Sequence, residues 1–164
     1  MRLLSLNQAT VQSWGALEAI DACARHEIPW VGLWREPVAR DGIRNVSRAL
    51  AQAGVKVSSL CRGGFFPAAS AGERKRRIDD NRRAIDECAL LGSDLLVLVC
   101  GGMVDGDLPG SRQMVEDGIS ALLPYASERG VRLGVEPLHP MFCADRSVIC
   151  SLGQALDLVG RVGG

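Results

Sequence analysis

Aromatic residues are scarce, at 4% of the 164-residue chain, and net charge is absent, with 19 basic against 19 acidic side chains. Low aromatic content beside plentiful Ala, Val, Leu and Gly suits α/β packing better than an all-β sandwich. Balanced charge points to neither a nucleic acid nor an acidic lipid surface as partner. No apolar run approaches the ~20 residues that span a bilayer, so no membrane partner is expected. Met1 to Leu6 is too short for a signal-peptide core followed by a cleavage site, and its pattern is that of a first strand. No two of the six cysteines, Cys23, Cys61, Cys88, Cys100, Cys143 and Cys150, stand in C-x-x-C spacing, which sets aside zinc ribbons and thioredoxin-type chemistry. Most lie in apolar or helical patterns, where a thiol behaves as a small hydrophobe. The compartment this implies is the reducing cytoplasm.

What is present is a repeat of two alternating signals. Short apolar runs occur at Leu3 to Leu6, Trp30 to Trp34, Val55 to Leu60, Asp94 to Cys100 and Val131 to Glu136. The fourth contains Leu95-Leu96-Val97-Leu98-Val99, the continuous pattern of a buried parallel strand. Between and after them, helical periodicity predicts helices over Ala16 to His26, Ile43 to Ala53, Glu73 to Leu91, Ser111 to Arg129 and Leu152 to Val162, with Ser111 and Ser151 as N-caps. Gly54, Gly92 and Gly130 each follow a helix and precede a strand, as left-handed C-terminal caps do. The loops after the strands are longer: Asn7 to Gly15, Arg35 to Gly42, Cys61 to Gly72, Gly101 to Gly110 and Pro137 to Cys150. Chemistry on repeated βα folds sits at that end.

Five strand–helix units leave two architectures: an open doubly wound sheet acting as a non-catalytic small-molecule-binding module, or part of a (β/α)₈ barrel. The latter needs at least ~200 residues when complete. The closing Gly160-Arg161-Val162-Gly163-Gly164 has the pattern of a helix end and a loop leading towards a further strand.

The strongest local signal is Val131-Arg132-Leu133-Gly134-Val135-Glu136-Pro137-Leu138-His139-Pro140. A carboxylate ends a strand otherwise built for burial, Pro137 stops the ladder, and His139 follows three residues on. A carboxylate and an imidazole converging at the open end of a βα fold are reasonable ligands for a divalent metal. A solvated strand end and a loop histidine read equally well from spacing alone.

The stretch Glu136 to Phe142, continuing through Ala144-Asp145-Arg146, resembles the strand-five signature of the sugar phosphate isomerase/epimerase proteins of the xylose isomerase-like TIM barrel superfamily. Further similarity runs through Thr10-Val11-Gln12-Ser13-Trp14, Trp30 to Glu36, Gly63-Gly64-Phe65-Phe66, and Asp79, Asn81, Arg82, Ala89, Leu91 and Gly92. The resemblance implies one domain over residues 1–164: an incomplete (β/α)₈ TIM barrel with about five of its eight units, truncated on the C-terminal side. It implies a metal-dependent sugar or sugar phosphate isomerase/epimerase working by proton transfer through an enediolate, and inactive as this fragment. Glu136 would be metal ligand and catalytic carboxylate, with Mn²⁺ or Mg²⁺ ahead of Co²⁺ or Zn²⁺. The family's remaining ligands come from later strands. His139, Trp14, Trp34, Glu36, Arg62 and Arg146 are candidate substrate contacts, and open edges on strands one and five would favour self-association.

An AP-endonuclease-like phosphodiesterase, on the same fold, needs histidines after strands three and four. The loops Cys61-Arg62-Gly63-Gly64 and Cys100-Gly101-Gly102 supply none, and His26 and His139 are the only two histidines of the chain. The charged run Glu73 to Arg83 mixes signs at i,i+3 and i,i+4, the pattern of a solvated helix face. Gly101 to Gly106 lacks the Gly-Lys-Ser/Thr of a phosphate-binding loop and reads as a flexible loop at the site. Trp14, Trp34, Phe65 and Phe66 fall at strand ends, where they wall a sugar site or pack in the core.

Overall fold

The computed structural model describes residues 4–163. Five strands, β1 (Ser5–Asn7), β2 (Trp30–Trp34), β3 (Lys56–Gly64), β4 (Leu95–Val99) and β5 (Arg132–Val135), form one sheet in the order β1-β2-β3-β4-β5. Every pairing is parallel. Between them and after β5 run α1 (Ala16–Arg25), α2 (Arg35–Asp41), α3 (Ile43–Ala53), α4 (Ala71–Leu90), α5 (Leu108–Glu128) and α6 (Leu152–Val162).

Strand order settles the architecture. A doubly wound sheet reverses order at a switch point and so carries helices on both faces. Sequential order with right-handed crossovers lays every helix on one face, and successive helices here do touch: α1 with α2 and α3, α4 with α5, α5 with α6. The sheet is an arc of a βα barrel and not an open doubly wound sheet. β1 and β5 are its edges.

The core lies between strands and helices. Val31, Leu33, Leu60, Leu96 and Leu98 are wholly buried and meet Ile20, Ile85 and Leu122 of the helix layer in one cluster. Across the other face, register aligns Asn7 with Gly32 and Gly32 with Ser59. A second row runs Trp34, Cys61, Val97 and Gly134.

The glycine stops form as expected: Gly54, Gly92 and Gly130 take φ of +66°, +71° and +67°. Ser151 caps α6, its Oγ accepting from the Gln154 N–H at 3.2 Å. Ser70 caps α4 by accepting from the Glu73 N–H at 3.1 Å. Four expectations are corrected. The Leu3 to Leu6 strand occupies Ser5–Asn7, and Leu3 lies outside the described residues. α5 begins at Leu108, capped by Asp107, because Pro109 is tolerated in a first turn that needs no N–H from it. Ser111 is instead buried, donating to the Asp107 carbonyl at 2.7 Å. β3 runs on through Cys61 to Gly64, and Arg35 to Asp41 is helical, with Pro37 in its first turn.

Candidate active site

Parallel strands and sequential order bring all five strand C-termini to one rim. There, Asn7, Trp34, Ser59, Cys61, Val97 and Val99 wall a cleft of about 240 Å³ together with Arg62, Glu136 and Arg146. Four of the sequence candidates therefore meet at one place.

Glu136 continues the sheet by one residue beyond β5, its N–H donating to the Leu98 carbonyl at 3.0 Å. Pro137 then ends the ladder, for want of a donor. The carboxylate has no ion-pair or hydrogen-bond partner among the described residues. Its charge is nonetheless felt: the Cys61 thiol is pushed up to about 11, first by burial and then by Glu136. Cys100 is pushed to about 12 by burial, with a smaller contribution from Glu136.

Arg62 stands over two rings, 5.9 Å from the Trp34 centroid and 5.0 Å from that of Phe65. Its Nη2 lies 3.5 Å from Glu36 Oε1, a loose pair. Glu36 itself is exposed on α2 and lines adjoining crevices, not the cleft. Arg146 is set by its backbone: its N–H donates to the Phe142 carbonyl at 2.9 Å and its carbonyl accepts from Gly101 at 2.8 Å. Its guanidinium stacks 5.3 Å from the Phe142 centroid.

The other residues considered lie outside this cleft lining. His139 is exposed and its Nδ1 accepts from the Met141 N–H at 3.2 Å, capping the short 3₁₀ turn Pro140–Phe142. Trp14 packs on the core cluster, away from the cleft lining. Phe66 is buried against Gly118 of α5. Arg35 is a strut, donating to Glu87 at 2.6 Å and Asp80 at 3.0 Å. The Gly101-Gly102 loop, expected to be flexible, is pinned: Gly101 is buried and bridged to Ser147, and Met103 donates to the Cys143 carbonyl at 3.0 Å. The mixed-charge run does form a self-paired helix face, with Lys75–Asp79, Arg77–Glu73 and Arg83–Asp80 contacts.

Two buried polar residues that shape the rim escaped the sequence reading as site elements. Gln8 accepts from the Trp34 N–H at 2.9 Å and so fixes the end of β2. Asn81 grips Gly64, accepting from its N–H at 2.6 Å and donating to its carbonyl at 2.8 Å. The signal for Asn81 was available: it is a polar residue on the 78, 81, 85, 88 stripe of α4, which otherwise turns Ile78, Ile85 and Cys88 inward.

Among the described residues no group of three or more His, Cys, Asp or Glu side chains could hold a metal ion. No helix among these residues is long and apolar enough to cross a membrane.

The family profile described as xylose isomerase-like TIM barrel matches residues 17–163. No curated protein matches the sequence. Among solved structures, protein SMc04130 from Sinorhizobium meliloti 1021 is 48% identical with a TM-score of 0.94, covering 98% of this chain and 59% of its own. IOLI protein, described with a bound zinc atom, is 18% identical with a TM-score of 0.81, over 100% of this chain and 60% of its own. D-psicose 3-epimerase, solved in the presence of D-fructose, is 13% identical with a TM-score of 0.81, over 99% and 60%. The last two show likeness of fold alone. The chain thus spans about 60% of the length of these structures. The profile match covers nearly the whole chain, and the sequential parallel strand order agrees with it: this chain belongs to the xylose isomerase-like TIM barrel family.

Proposed function

We propose that this chain supplies one half of the active site of a metal-dependent sugar isomerase or epimerase, with Glu136 as its catalytic carboxylate. The observation that carries the reading is a carboxylate at a strand tip, without an ion-pair or hydrogen-bond partner among the described residues, lining a small cleft with Trp34, Asn7 and Ser59. A carboxylate within reach of a bound substrate is positioned to act as a general base.

In the reaction, a Glu136 oxygen takes the proton on the carbon α to a sugar carbonyl. The C–H electron pair moves into a C=C bond and the carbonyl oxygen becomes an enediolate oxygen. Return of a proton to the former carbonyl carbon, with the hydroxyl proton of the deprotonated carbon passing to the former carbonyl oxygen as the new C=O forms, gives isomerisation; return to the opposite face of the same carbon, with the original C=O re-formed, gives epimerisation. Trp34 offers a ring to the apolar face of the sugar, and Asn7 and Ser59 offer hydrogen bonds to hydroxyls. A bound Mn²⁺ or Mg²⁺ would polarise the carbonyl, with Glu136 as one ligand and the others supplied by residues outside these five units. The second proton-transfer carboxylate has the same origin in this reading.

The test is turnover of ketoses and aldoses by the barrel-length protein, wild type against Glu136→Gln. The amide keeps the shape and removes the base, so kcat falls about 10²–10⁴-fold. Equal turnover by the two would remove Glu136 from the chemistry.

A further inference from the structure

The loop between β5 and α6 carries two cysteines, Cys143 and Cys150, and its own hydrogen bonds fold them towards each other. Its entry and exit run side by side, the Leu138 N–H donating to the Ile149 carbonyl at 3.0 Å. The Phe142 carbonyl then accepts from the Arg146 N–H at 2.9 Å and the Ser147 N–H at 3.0 Å, which turns the chain back beside Cys143. From the other side the Cys150 thiol donates to the Ser147 carbonyl at 3.3 Å. The two thiols end within hydrogen-bonding reach of each other, and both residues are half-buried. Cys23, Cys88 and Cys100 are placed differently, buried with their thiols against the carbonyls of Trp30, Ser93 and Leu98.

Both ends of this span are anchored. The Cys143 carbonyl accepts from the Met103 N–H at 3.0 Å, and the Cys150 N–H donates to Gln154 Oε1 at 2.8 Å. Between them Ala144, Asp145 and Arg146 are exposed. An exposed turn can yield by the small distance that separates a thiol contact from a covalent bond. Arg146 also lines the cleft, so whatever fixes this span fixes part of the cleft mouth.

We infer that Cys143 and Cys150 form a reversible dithiol–disulfide pair, whose oxidation staples the Arg146 loop at the mouth of the cleft. The pairing needs nothing from Glu136 and stands apart from the reaction proposed for it.

The oxidant is a small disulfide, such as glutathione disulfide. Burial, and after it the hydrogen bond with Cys143, hold the Cys150 thiol above its ordinary value, which leaves Cys143 to attack first. The Cys143 thiolate, its proton lost to solvent, attacks one glutathione sulfur. That S–S bond breaks, and the other glutathione leaves as a thiolate and takes up a proton. Cys150 then gives its proton to solvent and attacks the Cys143 sulfur of the mixed disulfide, and the second glutathione thiolate leaves and is protonated in turn. Two protein thiols are oxidised, and one glutathione disulfide is reduced to two thiols. Arg112, whose Nε donates to the Val148 carbonyl at 3.0 Å, favours the Cys150 thiolate in the second step.

The test is incubation of the folded chain in glutathione buffers from fully reduced to fully oxidised, then acid quench, alkylation and tryptic mapping. Trypsin cuts after Arg132, Arg146 and Arg161, so the two cysteines fall on separate peptides, 133–146 and 147–161. Oxidation should join these into one species lighter than their sum by two hydrogens, and dithiothreitol should part them. Hydrogen exchange at the Arg146 and Ser147 amides should slow about tenfold or more in the oxidised protein, because joining the ends of a short loop restricts its opening. Cys143→Ser and Cys150→Ser should each abolish the joined peptide with circular dichroism as in the wild type, and Cys143→Ala gives a second replacement in the turn. Absence of the joined peptide in fully oxidised buffer, with or without glutathione adducts on the two cysteines, would overturn the inference. So would joining through another cysteine or between two molecules, or unchanged exchange in the joined form.

Discussion

Removing the Asn81 side chain should cost more stability than any surface change in the molecule. β2 pairs with β3 only as far as Trp34 opposite Cys61, whereas β3 continues to Gly64. Beyond that point the side of β3 that faced β2 has lost its neighbour. The Asn81 amide takes over, meeting the Gly64 N–H and carbonyl as a strand would. It also donates to the Arg77 carbonyl at 2.9 Å. Asn81 is 1% exposed, so water does not replace it freely. In Asn81→Ala two buried backbone groups lose their partners at about 1–3 kcal/mol each, for a total of about 2–6 kcal/mol. That is a large share of the ~5–15 kcal/mol of a typical domain. Asn81→Asp should be no better, since a carboxylate accepts from the Gly64 N–H but presents only a second acceptor to its carbonyl. Urea unfolding of the 164-residue chain measures both variants. A drop below about 1 kcal/mol at unchanged m-value would show that the Gly64 groups find other partners and that the clamp is incidental.

Three further outcomes follow from the same geometry. Arg35, hydrogen-bonded to Asp80, holds that carboxyl below its ordinary value of 3.8, with Arg83 assisting. The resulting stabilisation is present above about pH 3.8 and is lost as pH falls through the lower folded value. Arg35→Gln should therefore show a flatter acid limb in urea midpoints between pH 2 and 5, and an unchanged limb would count against the pair. Cys88 and Cys100 are wholly buried and pushed up to about 11 and about 12, chiefly by burial. Both should resist a thiol-specific disulfide reagent at pH 8 until urea opens the fold, and prompt native reaction would contradict the packing. A Cβ on Gly32 would meet Ser59 Oγ at 3.3 Å, a hydroxyl that can turn aside. Gly32→Leu should then fold but fill the cleft and abolish sugar binding by calorimetry. Wild-type affinity would mean that the ligand sits elsewhere.

Repeat and direction were legible because they are local. The glycines at 54, 92 and 130 announce helix ends by conformation alone, and Ser151 announces a start through its own side chain. Asp107 was concealed because Pro109 looks like a breaker to a pattern reader and behaves as a first-turn residue in the helix. α2 was concealed for the same reason at Pro37. The strand extension through Gly63 and Gly64 rests on pairing with Leu98 and Val99, a long-range fact that no short window contains. The site divides likewise. Glu136 was legible as a charge ending an apolar strand. That Arg62 and Arg146 share its cleft while His139 and Trp14 do not depends on loop closure, through bonds such as Leu138 N–H to the Ile149 carbonyl at 3.0 Å and Gly101 N–H to the Arg146 carbonyl.

The concave face explains why a cleft opens there. In a complete barrel the interior is commonly filled by layers of bulky branched side chains. Here the row beneath the rim is Asn7, Gly32 and Ser59, and Ser5 Oγ meets Ser58 Oγ at 2.8 Å beside it. The next row sets Trp34 and Val97 against Cys61 and Gly134. The small residues among them, Gly32, Ser59, Cys61 and Gly134, contribute little to the core, which the helix-facing Val31, Leu33, Leu60, Leu96 and Leu98 already supply. Their effect is to leave space below the strand ends, so that a ligand can sit down into the sheet instead of on it. One face of the sheet therefore carries stability and the other carries room. Glu136, Arg62 and Arg146 stand where that room opens to solvent.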